Sequence, residues 1–133
     1  MVLYTLLILL FNAYAIVSGY KDSILWSRRA ADAFTWNEHI VFIVERIVII
    51  ALVIASTHVS PIQALGATLA FLLMFSLTHN QAYYHGRSLI DHTPFIWSYS
   101  STTSTAKIEL NYTLRLALFL VGIAISVLTV VYV

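Results

Sequence analysis

The chain contains no cysteine, which excludes disulfide bonds, thiolate metal ligands and cysteine redox chemistry. Charged residues are also scarce: they make up 10% of the 133 residues, against roughly 25% in an ordinary soluble domain. Hydrophobic residues make up 60%. So few charges cannot give a soluble fold a polar surface, whereas a lipid bilayer requires none. The net charge of +1 gives no reason to expect nucleic acid as a partner.

Four apolar stretches are long enough to cross a bilayer, whose hydrocarbon core takes about 20 residues of helix. Backbone in lipid has to satisfy its own hydrogen bonds, which favours helices. The stretches predict transmembrane spans at about 2–18, 36–57, 61–86 and 105–132. We therefore expect a single all-α integral membrane domain over residues 1–133, an up-and-down bundle of four transmembrane helices.

The first stretch has the position of a secretory signal peptide, but not its other features. It has no basic residues before the apolar run and no small-x-small cleavage site, and Tyr20 and Lys21 follow it directly. We expect it to be retained as the first membrane helix. Gly19 is expected to close that helix in a left-handed conformation.

Capping patterns mark the starts of the second and third helices. Both Thr35-Trp36-Asn37-Glu38 and Ser60-Pro61-Ile62-Gln63 have the spacing of a capping box. The short turn around residues 57–60 predicts an antiparallel hairpin of these two helices. In the first loop, an apolar face within residues 22–34 predicts a short interfacial helix.

The basic residues that flank the predicted spans all fall on one side of the membrane. They are Lys21, Arg28, Arg29, Arg87 and Lys107. Because positively charged loops stay in the cytoplasm, loops 19–35 and 88–104 should be cytoplasmic and both termini outside. The expected location is the inner (plasma) membrane of the cell.

Polar residues inside the spans are predicted to form one layer in the cytoplasmic half of the bundle. Asn12 lies about 10 Å, Glu45 about 15 Å and Arg115 about 16 Å of helical rise from the cytoplasmic ends of their spans. Lys107, Asn111 and Arg115, spaced by four, predict one stripe on the fourth helix. The candidate ligand-binding or polar-core residues are Asn12, Glu45, Arg46, His79, Asn80, Tyr83, Tyr84, Arg87, Asn111 and Arg115.

Three of these residues carry full charges that should turn away from lipid. A charge at the bilayer centre costs about 2.5–3.5 kcal/mol on insertion scales. Glu45 and Arg46 are about 100° apart around one helix and cannot pair with each other. We expect Glu45 to pair with Arg115, which leaves Arg46 for Asn80, a backbone carbonyl or a ligand.

Two interpretations of this charged layer remain open. It could be a structural clasp, although polar contacts between membrane helices contribute only about 0.6 kcal/mol on average. Alternatively, two arginines against one glutamate favour an anionic ligand, lipid headgroup or partner. The latter predicts a binding or transport/channel module, assembled as a homo-oligomer or within a larger membrane complex. The small residues Ala64, Gly66 and Ala67 of the third helix could provide a contact between copies.

Three histidines near the end of the third span are secondary candidates for metal ligands. His79, His85 and His92 are six and seven residues apart, which is not a compact zinc pattern. For His79, a hydrogen bond to a neighbouring helix is the simpler interpretation.

The stretch His85-Gly86-Arg87, followed by Asp91, resembles part of the membrane anchors of succinate dehydrogenase, which differ in helix number. The resemblance implies an alternative function as a membrane subunit that holds haem or quinone near His79 and His85. The chain has no Gly-rich phosphate loop and no nucleophile elbow, so the sequence names no reaction and no cofactor. A small membrane metalloenzyme is the third alternative.

Overall fold

The computed structural model describes residues 2–29, 36–92, 94–98 and 110–132, with residues 28, 29 and 36–39 described by their backbone alone. These residues form four helices and contain no strand. The helices are α1 (Val2–Arg29), α2 (Trp36–Thr57), α3 (Pro61–Asp91) and α4 (Tyr112–Tyr132). All four are long and apolar enough to cross a membrane, as the sequence predicts.

Helix α1 is longer than predicted, because Gly19 does not end it. Gly19 has no positive φ, and the helix continues through Asp22 to Arg29. The predicted interfacial helix over residues 22–34 is therefore wrong for residues 22–29, which are part of α1. Residues 30–35 lie outside the described part of the chain. The physical reason is that Gly19 packs against α3, so its missing side chain serves helix contact rather than capping.

A short turn at residues 58–60 joins α2 to α3, as predicted, and α2 has the expected bounds, although these two helices make little backbone contact. Gln63 N donates to Ser60 Oγ (3.3 Å) and Ser60 N donates to Gln63 Oε1 (3.2 Å), which completes the predicted capping box. His58, with a φ of 50°, and His92, with a φ of 57°, follow α2 and α3 in the left-handed conformation. Helix α3 thus extends past residue 86 to Asp91. The capping box predicted at residue 35 lies outside the described residues.

Helix α4 begins later than predicted. Asn111 Oδ1 accepts a hydrogen bond from Leu114 N (2.9 Å), and Asn111 O accepts one from Arg115 N (3.0 Å). Asn111 is therefore the N-cap of α4 and not a residue within it. The predicted stripe of residues 107, 111 and 115 is wrong for Asn111, and Lys107 lies outside the described residues. Arg115 consequently lies in the first turn of α4.

Successive helices alternate in direction, but the most extensive contact is between α1 and α3, which run parallel. Gly19 faces Ala82, and Ser23 faces Gly86 one turn further along both helices. A Cβ placed on Gly19 would lie 2.8 Å from Ala82 Cβ and 3.0 Å from Tyr83 N. Small residues therefore allow the two backbones to approach closely. Helix α4 packs on α3, and α2 makes a smaller contact with α1.

The hydrophobic core lies between α1 and α3, near the amino-terminal half of each. Phe11 and Phe71 are buried with their ring centroids 4.8 Å apart. The other buried members are Tyr4, Leu7, Ala15 and Ala67, against which Ile50, Val53 and Ile54 of α2 pack. This core fixes the positions of α1 and α3 along their axes. It therefore determines which of their polar side chains come into contact further along the two helices.

The small-residue patch predicted to join copies of the chain is used inside it. Ala67 is fully buried in the core, and Gly66 faces Thr129 of α4. A Cβ on Gly66 would lie 2.9 Å from Thr129 Cγ2, so the glycine allows α4 to pack on α3. Gly66 and Ala67 therefore serve contacts within the chain, and association of copies stays a prediction.

Candidate functional site

The charged residues of α2 lie at its middle and are joined to α1. Glu45 and Arg46 occupy the tenth and eleventh of the 22 positions of α2. Lys21 Nζ donates to Glu45 Oε1 at 2.8 Å and to Oε2 at 2.7 Å, with 36% of each side chain exposed. The predicted pair between Glu45 and Arg115 is wrong. Because α1 continues past Gly19, it brings Lys21 to the level of Glu45.

Arg115 is directed at the backbone of α3 instead of at α2. Its Nε donates to Leu110 O (2.7 Å) and its Nη1 donates to Ser76 O (3.3 Å). Ser76 is the neighbour of Phe75, so Arg115 still reaches the level of the charged layer from the α4 side.

A second polar pair joins α1 to α3 beside the first. His79 Nε2 lies 3.0 Å from Asp22 Oδ2, with 19% and 16% of the two side chains exposed. The hydrogen bond expected for His79 is thus present, and its partner is a residue that was assigned to a loop. Asp22 Oδ1 is buried and has no hydrogen-bond partner among the described residues. The His79 ring also stacks on Phe75, with centroids 5.0 Å apart and planes 26° apart.

Arg46 has no carboxylate within ion-pair distance among the described residues. Its guanidinium carbon lies 4.4 Å from the centroid of Phe75, a cation–π contact. Its Nε is buried and has no hydrogen-bond partner among the described residues. The neighbouring carboxylates are engaged elsewhere, Glu45 by Lys21 and Asp22 by His79. Arg46 is therefore held in place by an aromatic ring while its buried Nε–H lacks a hydrogen-bond partner.

The asparagines of the predicted layer have different roles. Asn12 Nδ2 donates to Ile8 O (2.9 Å), and its Oδ1 accepts from Thr78 Oγ1 at 3.5 Å, which is a long contact. Asn12 therefore stabilises the α1–α3 contact. Asn80 Nδ2 is buried with no partner among the described residues. Like Arg46 Nε, Asn80 Nδ2 is thus a buried donor without a hydrogen-bond partner in this part of the chain.

The remaining predicted residues form a separate cluster one to two turns further along α3. Arg87 lies over the Trp26 ring, with its guanidinium carbon 3.1 Å from the centroid, and its Nε pairs with Asp91. Its Nη1 donates to Tyr83 OH (3.2 Å). Tyr84 packs edge-on against Tyr83 with centroids 5.0 Å apart. Arg87 is thus satisfied by its own helix and by α1, unlike Arg46.

The three histidines considered as metal ligands lie apart. His85 Nδ1 and Tyr20 OH are 2.6 Å apart in a hydrogen bond, and His92 is exposed at the end of α3. In the described part of the chain, no three His, Asp or Glu side chains come together in a way that could hold a metal ion. The cluster near the end of α3 therefore contains the predicted residues Tyr83, Tyr84, His85 and Arg87. The charged layer contains Glu45, Arg46 and His79.

Sequence reasoning missed Lys21, Asp22 and Phe75, which complete the charged layer. The signal for the first two was the apolar pattern that resumes after Gly19 at Ile24 and Leu25, which continues a helix. Arg46 and Arg115 reach the same level, the first over Phe75 and the second at Ser76 O.

Comparison of the chain with models of known protein families, with characterised proteins and with solved structures finds no match in any of the three. Function is therefore inferred from the geometry of the charged layer alone.

Proposed function

We propose that this chain is an integral membrane protein whose four helices cross the bilayer and whose charged layer binds a small monovalent oxyanion at Arg46. The 22 residues of α2 rise about 33 Å, which matches a hydrocarbon core of about 30 Å. Helices α1 and α3, with 28 and 31 residues, extend beyond this thickness at their Arg29 and Asp91 ends. The basic residues at these ends support a cytoplasmic location for them.

The depth of Arg46 supports a functional role for its charge. Arg46 is about 15 Å from either end of α2, which puts it near the middle of the bilayer in this topology. Ionisable groups at this depth are costly, and they typically line ion or substrate pathways or pair with one another. Arg46 has no carboxylate partner among the described residues. An anion in contact with it would remove the cost of an uncompensated charge.

The observation that carries the proposal is the state of the Arg46 guanidinium. It is positioned by Phe75 and keeps a buried Nε without a hydrogen-bond partner in the described part of the chain. A planar guanidinium whose Nε–H has no partner matches a carboxylate-like group, whose two oxygens bind Nε–H and an Nη–H side by side. The single charge of the Arg46 guanidinium matches a monovalent ligand. Acetate and nitrate both have this planar shape and single charge.

A free anion fits this position better than the headgroup of a lipid. Headgroup phosphates lie at the membrane surface, about 15 Å from the level of Arg46. Cationic side chains at the helix end, such as Arg87, are closer to them but are already paired. The haem or quinone alternative has less support, since His79 Nε2 and His85 Nδ1 each bond a neighbouring side chain. The clasp alternative predicts no ligand at all.

Calorimetric titration of the protein in zwitterionic nanodiscs with sodium acetate and sodium nitrate tests the proposal. Arg46→Gln removes the charge and leaves a shorter, neutral polar side chain, and we expect binding to weaken about 10–100-fold, the value of a charge-assisted hydrogen bond. Arg28→Gln, which removes a charge at the end of α1, is the matched control and should bind normally. Unchanged binding in Arg46→Gln, or no binding to the unaltered protein, would overturn the proposal.

A second arm of the experiment distinguishes the source of the anion. The same variants are placed in nanodiscs that contain phosphatidic acid, and their melting temperatures are compared without added acetate. We expect phosphatidic acid to have the same effect on the unaltered protein and on Arg46→Gln. Stabilisation by this lipid that depends on Arg46 would overturn the assignment to a free anion.

A further inference from the structure

The His79–Asp22 pair is an ionisable site beside Arg46 that anion binding alone does not require. Histidine is the side chain whose ordinary ionisation falls between pH 5 and 8. His79 Nε2 already lies 3.0 Å from Asp22 Oδ2, so the carboxylate is in place to stabilise an imidazolium. Asp22 Oδ1 is buried without a partner in the described residues. When the imidazole is neutral, the Asp22 carboxylate therefore carries a negative charge that its partner His79 does not neutralise.

His79 and Arg46 are physically connected through one aromatic ring. The imidazole stacks on Phe75 at 5.0 Å between centroids, and the Arg46 guanidinium carbon lies 4.4 Å from the same centroid. The two cationic groups are thus within about 10 Å of each other, a distance at which unit charges still interact strongly in a protein interior. A proton on His79 would raise the positive potential at Arg46 and favour an anion there.

The other charged and titratable groups around His79 do not provide this response. They are Tyr14, Lys21 and Asp22 of α1, Glu45 and Arg46 of α2, Tyr83 of α3 and Arg115 of α4. Lys21 and Glu45 neutralise each other as an ion pair. Tyrosine, lysine and arginine side chains ordinarily ionise well above pH 8. His79 is therefore the group of this layer suited to exchange a proton near neutral pH.

We propose that His79, paired with Asp22, takes up a proton when an anion binds at Arg46, so that anion and proton are bound together. This inference rests on the function proposed above. The coupling is reciprocal: a bound anion favours the protonated imidazole, and a protonated imidazole favours the anion. The proton passes from solvent to His79 Nδ1, since Nε2 already carries the hydrogen that is donated to Asp22.

Proton counting during nitrate binding tests the coupling, because nitrate itself takes up no proton in this range. Titrations at pH 7 in several amine buffers of different ionisation enthalpy give the number of protons taken up per nitrate. We expect a value between zero and one, and a nitrate affinity about tenfold higher at pH 5.5 than at pH 8, as expected for two charges at this distance. His79→Gln should abolish both the proton uptake and the pH dependence.

His85→Gln is the matched control, since His85 lies on the same helix but pairs with Tyr20. It should keep the proton uptake and the pH dependence. Nitrate binding with no proton uptake, or the same uptake in His79→Gln, would overturn the coupling while the anion site stands. No nitrate binding at any pH would overturn the anion site as well.

A measurement on the unaltered protein avoids any dependence on the folding of variants. The ¹⁵N spectrum of histidine-labelled protein reports the protonation of each imidazole directly. We expect nitrate at pH 7 to shift the His79 nitrogens toward imidazolium values and to leave those of His85 unchanged. Identical His79 spectra with and without saturating nitrate would contradict the proposal.

Discussion

Lys21 of α1 holds both carboxylate oxygens of Glu45 of α2, at 2.8 and 2.7 Å from its Nζ. The bond connects α2 to α1 at the middle of α2, while the apolar contacts of α2 with the core lie at Ile50, Val53 and Ile54. Helix α2 makes fewer contacts with the rest of the chain than α1, α3 and α4 make with one another. The ion pair is therefore a main determinant of where α2 sits.

Breaking this ion pair from one side should destabilise the protein more than removing it entirely. Lys21→Met leaves Glu45 without its cation, and Glu45→Gln leaves Lys21 without its carboxylate. Loss of one partner costs about 3–5 kcal/mol in a fully buried pair, so we expect about 1–3 kcal/mol here, where each side chain is 36% exposed. In nanodiscs, the free energy of unfolding of the double variant should be higher than that of either single variant. Additive losses would contradict the pairing.

A methyl group at Gly19 should separate α1 from α3. Its Cβ would come within 2.8 Å of Ala82 Cβ and 3.0 Å of Tyr83 N, and backbone cannot move aside easily. We expect Gly19→Ala to destabilise the fold by about 1–3 kcal/mol, although alanine is the better helix former. Ala13→Val, on the exposed face of the same helix, is the control and should have little effect. A stabilised Gly19→Ala protein would show that the close α1–α3 contact is absent.

Single cysteines should report the orientation, since the chain has none of its own. Val59→Cys lies in the α2–α3 turn, Ser27→Cys near the end of α1, and Ser100→Cys in the segment outside the described residues. Because the basic helix ends favour the cytoplasm, an impermeant maleimide added to whole cells should label only Val59→Cys. Labelling of the other two without Val59→Cys would reverse the orientation.

Association of copies stays a prediction, and the exposed part of the Lys21–Glu45 pair is the reason to expect it. About a third of the Lys21 and Glu45 side chains is uncovered in the single chain, at the middle of α2, which the proposed topology puts near the bilayer centre. Charged residues at this depth rarely face lipid, so we expect a second copy to cover this face. Native mass spectrometry from nanodiscs should detect dimers or larger species, and replacing both residues by apolar ones should reduce them. Monomers alone would contradict the prediction.

The helices and the polar layer were predictable from the sequence because their signals are local. Apolar length predicted the helices, and Ser60 with Gln63 predicted the start of α3. The scarcity of charges in these stretches made Glu45, Arg46 and His79 conspicuous. Arg46 and His79 both contact Phe75, and Glu45 is the neighbour of Arg46 in α2.

The pairing within the layer was not predictable, because it depends on which helices touch. In the sequence, a glycine at position 19 is equally compatible with a helix end and with close packing between helices. Because Gly19 was predicted to end the first helix, Lys21 and Asp22 were predicted to lie outside that helix. Asn111 likewise fits either a helix interior or an N-cap. The close α1–α3 contact then decides the partners of Asp22 and His79, which are 57 residues apart in the sequence.

The most direct test of the anion site is the Nε–H resonance of Arg46. The chain has five arginines, so ¹⁵N-arginine-labelled protein in nanodiscs gives a spectrum that single Arg→Lys variants can assign. Titration with acetate should shift the Arg46 resonance in a saturable manner, because its Nε has no partner among the described residues. The Arg87 resonance, held by Asp91, should stay in place. An Arg46 resonance that does not respond, or that moves only as much as the others, would contradict the account.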